Sequence, residues 1–193
     1  MNLEELRTEV RAVMGDVTGT ARLATAFADD QVDDAINWAI GMLATRTKCT
    51  YQRLDITQLT YWTAYIPNNC LSVEDVSVSG AALESSSPRL EALLSRTWRT
   101  DLGTPRRWFQ ESGSTLRIAP GGSATITLGY VAKPDDLEDD ADEVDSLIPT
   151  FYQTAIPYGA AARLRQIDGD TQDIAQGQAL MGQFDQLIAG AKV

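Results

Sequence analysis

Few residues in this 193-residue chain could do chemistry. There is no histidine, which removes Ser-His-Asp and Cys-His nucleophiles, whose base is an imidazole, and also His-ligated zinc. Cys49 and Cys70 are too few for a four-thiolate metal site. They could form one disulfide, but in a reducing cytoplasm they are expected as two free thiols. Gly121-Gly122 lies in neither a GxGxxG nor a P-loop pattern, so no phosphate cradle is indicated. With 27 acidic residues, chance carboxylate pairs are certain, and no flanking motif singles out a glycosidase pair. No catalytic set, cofactor or metal is expected.

Two clusters remain. Asp135 to Asp145 reads DDLEDDADEVD, eight carboxylates in eleven residues. The whole chain carries −11, so without that run the rest carries only −3. Carboxylates could take calcium, but an EF-hand counted from Asp136 would have Ala141 where glycine is needed and Leu147 where glutamate is needed. The run is expected to be a solvated, self-repelling loop. The second cluster, Arg96, Trp98, Arg99, Arg106, Arg107, Trp108 and Phe109, mixes cations with rings and could stack single-stranded nucleic acid. On a strand, however, Arg106 and Trp108 share one face and Arg107 and Phe109 the other. That split favours ordinary surface and core. No broad cationic face for DNA phosphates is evident.

These residues need elements to hold them. Leu3, Leu6, Val10, Val13 and Met14 recur at helical spacing, with Asn2 as N-cap and Gly15-Asp16 as the stop. A polar link through Thr18, Gly19 and Thr20 follows. A second helix is expected over about Asp30–Thr47, capped by Asp29 or Asp30, burying Val32, Ile36, Ala39, Ile40 and Leu43. Trp38 sits at the edge of that stripe as a packing residue or a subunit contact.

From Tyr51 to Tyr130 the pattern reads mainly as β. Leu54 and Ile56 alternate, then Leu59, Tyr61, Thr63 and Tyr65, before a Pro67-Asn68-Asn69 turn. Leu71 and Val73 alternate, as do Val76 and Val78, but the phase slips between the pairs, which implies a bulge. Gly80 turns the chain. Pro88–Trp98 reads as a short helix with Leu90, Leu93 and Leu94 on one side. Arg106–Glu111 and Thr115–Ala119 flank a Ser-Gly-Ser hairpin signal. Ala124–Ala132 is a further strand, with Ile126, Leu128 and Tyr130 on one face. A helix from near Pro149 to Ile167, capped by Ser146, should kink or break at Pro157. After Gly169-Asp170 a last helix, capped by Thr171, should turn Ile174, Leu180, Phe184, Leu187 and Ile188 inward.

The fold class expected is α+β: an antiparallel helical bundle from N- and C-terminal helix pairs with an inserted, mainly antiparallel β domain. The divisions are 1–48 and 148–193 for the bundle, 49–134 for the β insertion and 135–147 for the acidic loop. No apolar run approaches the ~18 residues that span a bilayer, and MNLEELRTEV lacks a signal peptide's basic start and apolar stretch. Synthesis in the cytoplasm is expected.

Several signatures in order resemble one family. They are Ile36-Asn37-x-Ala39 running into Thr45-Arg46-Thr47-Lys48-Cys49; Tyr65-Ile66-Pro67; Gly103-x-Pro105 before Trp108-Phe109; Leu116-x-Ile118-x-Pro120; and Leu128-x-Tyr130 with Pro134, the acidic run and Ile148-Pro149. Together with the terminal helix pair they resemble the head-to-tail adaptor proteins of tailed bacteriophages, related to head-completion connectors. The resemblance implies a structural virion protein of the head-tail neck, made in the host cytoplasm. It implies a homo-oligomeric ring of twelve copies beneath the portal protein. The ring would extend the DNA channel without binding DNA specifically and would present a platform to a tail nozzle or tail-tube component. It also implies a portal contact near the C-terminal end, here Ala189, Gly190, Ala191, Lys192 and Val193. The alternative is a soluble interaction module outside the virion, or a tail-assembly chaperone.

Overall fold

In the computed structural model, which describes residues 1–15, 27–56, 58, 60–167 and 171–190, the first helix starts as its local sequence requires. Helix α1 spans Leu3–Val13. Asn2 Oδ1 accepts the Glu5 N–H at 2.8 Å, and Glu5 Oε2 accepts the Asn2 N–H at 3.1 Å, a reciprocal capping box. Gly15, at φ 86°, follows the helix end. Helix α2 spans Asp29–Thr47. Its N-cap is Ala28 rather than an aspartate. Gln31 Oε1 accepts the Ala28 N–H at 3.0 Å, while Asp29 and Asp30 sit inside the first turn, where the helix dipole favours carboxylates. Thr18, Gly19, Thr20, Leu59, Gly169, Asp170 and the Thr171 side chain lie outside the described residues.

The described structure divides into two units, residues 1–50 with 134–193, and residues 51–133. In the first, α1 and α2 share one core with α5 (Ile156–Ile167) and α6 (Thr171–Gly190). Leu6, Val10, Ile36, Ile40, Leu43, Ile156, Leu164 and Phe184 are all buried there, as their spacing predicts. The helix expected from Pro149 does break, though ahead of Pro157, into α4, Thr150–Gln153, and then α5. Pro157 sits in the first turn of α5, where its missing N–H goes unneeded. Ser146 does not cap. Asp145 makes the turn, its Oδ1 accepting the Leu147 N–H and its carbonyl the Ile148 N–H, both at 2.8 Å.

Helix α6 corrects two residues. Ile174 is 39% and Leu187 38% exposed. The inward stripe is Gly177, Leu180, Met181, Phe184 and Ile188, with Ile174 and Leu187 on its margins. The cause is close packing against α5. A Cβ on Gly177 would meet the Ala162 carbonyl at 3.1 Å, and one on Gly159 would meet the Phe184 ring at 3.0 Å. Close approach through such small residues narrows the arc that the neighbour covers.

The second unit holds two four-stranded sheets. One runs β1 (Tyr51–Ile56), β8 (Ile126–Ala132), β3 (Cys70–Val78), β4 (Ala81–Ala82), antiparallel throughout. The other runs β2 (Thr63–Tyr65), β7 (Thr115–Ala119), β6 (Arg107–Ser112), β5 (Glu84–Ser85), with only β5 and β6 parallel. The predicted phase slip in β3 is real: register shifts fall between Cys70 and Ser72 and between Val73 and Asp75. The tyrosine alternation has the opposite phase to a buried one. Tyr61 and Tyr65 are exposed, while Ala64 and Ile66 are buried. Ala64 lies directly across from Leu116, whose side chain is in the core, and that pairing sets the face. Leu54 is also exposed, because β1 is an edge strand paired only with β8.

Candidate functional site

The acidic run is a solvent-facing loop, as its charge predicts, but two apolar residues tie it down as a strap. Leu137 and Val144 are buried in the helical core. Asn37 grips the strap at two points: its Nδ2 donates to the Leu137 carbonyl at 3.1 Å, and its Oδ1 accepts the Leu137 N–H at 2.9 Å. The carbonyls of Asp142 and Asp140 accept the Leu3 and Glu4 N–H groups at 3.0 and 3.3 Å, donors that the first turn of α1 leaves without helical partners. Arg7 forks onto Asp33, with Nε to Oδ1 at 2.6 Å and Nη2 to Oδ2 at 2.7 Å, and its Nη1 also pairs with Asp140. The Asp142 carboxylate accepts the N–H groups of Asp139 and Glu138 at 2.9 and 2.8 Å, which holds its pKa below the usual aspartate value. Among the described residues no group of three or more Cys, Asp or Glu is arranged to hold a metal ion.

Helix α3, Pro88–Leu94, begins as expected: Ser87 Oγ accepts the Leu90 N–H at 3.2 Å, and Pro88 follows. Its buried face is inverted. The inward side chain is Glu91, 1% exposed, while Leu90, Leu93 and Leu94 face outward, Leu93 at 78%. Arg107 on β6 donates to Glu91 through Nε at 2.6 Å and Nη2 at 3.1 Å, and Ser86 Oγ donates at 2.5 Å. Burial pushes Glu91 upward, and these hydrogen bonds with the Arg107 charge outweigh it, leaving its pKa below the ordinary glutamate value. The leucine spacing was legible in the sequence. The choice of Glu91 for the inward side was not, because it depends on an arginine sixteen positions away.

The cation-aromatic cluster resolves into packing. Trp108 and Phe109 point to opposite faces of β6, and both are buried. Trp98 covers Phe109 edge-on, with centroids 5.7 Å apart, and carries Arg99 and Arg117 over its ring at 4.6 and 5.1 Å. No bare aromatic platform is left at these three rings. Trp38 is half-buried against the helical core, with Arg163 over its ring at 5.3 Å. Cys49 and Cys70 are half-buried free thiols whose pKa values burial pushes up, which disfavours the reactive thiolate.

Other signature residues also have structural work. Gly103 N–H donates to the Gly121 carbonyl and Gly121 N–H to the Asp101 carbonyl, at 2.8 and 2.9 Å. Trp62 Nε1 donates to the same Asp101 carbonyl at 3.0 Å. A Cβ on Gly121 would fall within the Trp62 ring, and one on Gly122 would meet the Gly103 carbonyl at 2.7 Å. At the expected portal-contact end, Ala189 and Gly190 are exposed on the last turn of α6, and Ala191, Lys192 and Val193 lie outside the described residues. Ile188, just before them, is in the core.

The described residues of these clusters are thus occupied in buried ion pairs, stacked rings and a tied-down loop. A comparison with curated proteins found no match. The family model described as SU10 adaptor protein matches residues 1–192. A match over that length makes this chain a member of the SU10 adaptor proteins, a phage head-tail adaptor family.

Proposed function

We propose that this phage structural adaptor forms a closed ring, twelve copies around, between the portal and the tail, and that it extends the channel through which DNA leaves the head. The carrying observation is the family match over residues 1–192. The helical unit would be the ring body, and the sheet unit an inserted arm directed toward the tail component or neighbouring copies. The charge distribution supports this division. Residues 51–133 hold eight Arg and Lys against seven Asp and Glu, a net of +1, so the remaining chain carries −12 of the total −11. An acidic body repels phosphate, so DNA moves past without sticking. The C-terminal end, Ala189 to Val193, would reach the portal. Family membership implies a structural rather than enzymatic role in the particle.

The test mixes purified protein with DNA-filled heads lacking it and images the portal vertex by electron microscopy. A symmetric ring below the portal is the expected result. Failure to add one, or placement elsewhere on the particle, overturns the reading. Stable activity of the protein away from any particle would instead favour an interaction module or a tail-assembly chaperone.

A further inference from the structure

We propose that the outward leucine face of α3 docks on the acidic strap side of a second copy of this chain, joining neighbours in the ring; the inference rests on the ring reading above. Leu90, Leu93 and Leu94 are exposed together on one side of a short helix. That helix is already fixed by its Ser87 cap and by the buried Glu91–Arg107 pair, so little conformational freedom is lost when it docks. Exposed Arg89, Arg96, Arg99 and Arg106 accompany the leucines in the same segment.

A partner for this surface should be apolar at its centre and acidic at its rim. The helical unit of the same chain carries exposed residues of both kinds within one stretch, 138–151. Leu147 and Phe151 are exposed, Phe151 at 54%, in the segment directly after the strap. Glu138, Asp139 and Glu143 on the strap are exposed as well. The strap's two-point hold on Asn37 keeps those carboxylates in a fixed display. Nucleic acid fits the α3 surface less well, because Trp98, Trp108 and Phe109 are all buried and offer no base a stacking face.

The two patches are different surfaces of one chain. Their contact is therefore heterologous and repeats from copy to copy until the rotation closes. Each contact is small, and closure of the ring makes all of them hold at once.

The experiment places Leu93→Cys and Phe151→Cys in one chain, assembles it on heads lacking the adaptor, and adds a short thiol cross-linker. The parent chain, with half-buried Cys49 and Cys70, is the blank. A ladder of chain multiples is expected. Arg89→Glu with Arg96→Glu should abolish the ladder, and adding Glu138→Lys with Asp139→Lys should restore it. Incorporation without a ladder, or a ladder indifferent to charge reversal, overturns this interface and leaves the ring reading standing. Failure of the parent chain to incorporate overturns the ring reading itself. Hydrogen exchange on the parent protein needs no new thiol. Amides of 88–96 and of 138–151 must both gain protection on assembly, and protection of one segment or neither rejects the contact.

Discussion

Glu91 is a carboxylate facing inward from a helix whose leucines face water, and its partners make the arrangement testable by pH. Its pKa is lowered on folding. Its stabilising contribution is therefore full above the ordinary glutamate pKa and disappears as pH falls through the lowered value. The gap in urea midpoint between the parent protein and Glu91→Gln should narrow steadily as pH is lowered below the ordinary glutamate pKa. A gap that stays constant over that range would remove the Arg107 pairing as its source. Burial separates two other residues that the sequence places in one stripe. Phe184→Ala should cost about 3–5 kcal/mol of unfolding free energy, since its ring is fully buried against Gly159. Ile174→Ala, at a half-open margin, should cost less than about 1 kcal/mol. Equal losses in urea titration would show that the helix packs on a different face. Sequence spacing put both inward because a hydrophobic stripe marks an arc, and the width actually covered depends on how closely the neighbouring helix approaches.

At the scale of elements, several caps and turns were legible, though not the Ala28 cap of α2 or the Asp145 turn, and partners distant in sequence were not. Asn2, Gly80, Ser112-Gly113-Ser114 and the β3 bulge announce themselves locally, because each is settled by a few neighbouring residues. The strap does not. Eight carboxylates announce solvation, and most of them are exposed, but where the run is tied down is decided by Leu137, Val144 and an asparagine one hundred positions earlier. Asn37 carries a signal that could have been read: it is a polar residue between Ile36 and Ala39, both in the buried stripe of α2. Asn37→Ala should cost about 1–3 kcal/mol, because both backbone groups of Leu137 lose their partner. Thermal unfolding should report the loss equally in calcium and in chelator. Recovery of the lost stability by calcium would mean that the strap is held by a cation instead.

For the whole molecule, the helical unit could be anticipated from periodicity, and the family resemblance from the order of its signatures. The exposure of the α3 leucines could not, since it depends on what the opposite face of that helix buries. The position of the last core residue also sharpens a prediction about attachment. A truncation after Leu187 would remove Ile188, which is buried. Deletion from Ala189 onward spares the core, so it should leave the melting temperature unchanged while weakening retention on portal-bearing heads in a pull-down. A lowered melting temperature would assign these residues to folding, and unchanged retention would move the portal contact elsewhere.

The pairing of β1 with β8 has a consequence for how such a protein can vary. Tyr51 and Val131 face one another across that ladder, so the first residue of the sheet unit and one near its end lie only about 5 Å apart. A gap that small is closed by two or three residues. Replacing 52–130, between those paired residues, with a short Gly-Ser bridge should therefore leave the helices of the first unit able to fold around their own core, and sheet units of other lengths could be grafted at the same junction. Under the ring reading proposed above, that junction would make the arm a cassette, exchangeable without rebuilding the helical unit.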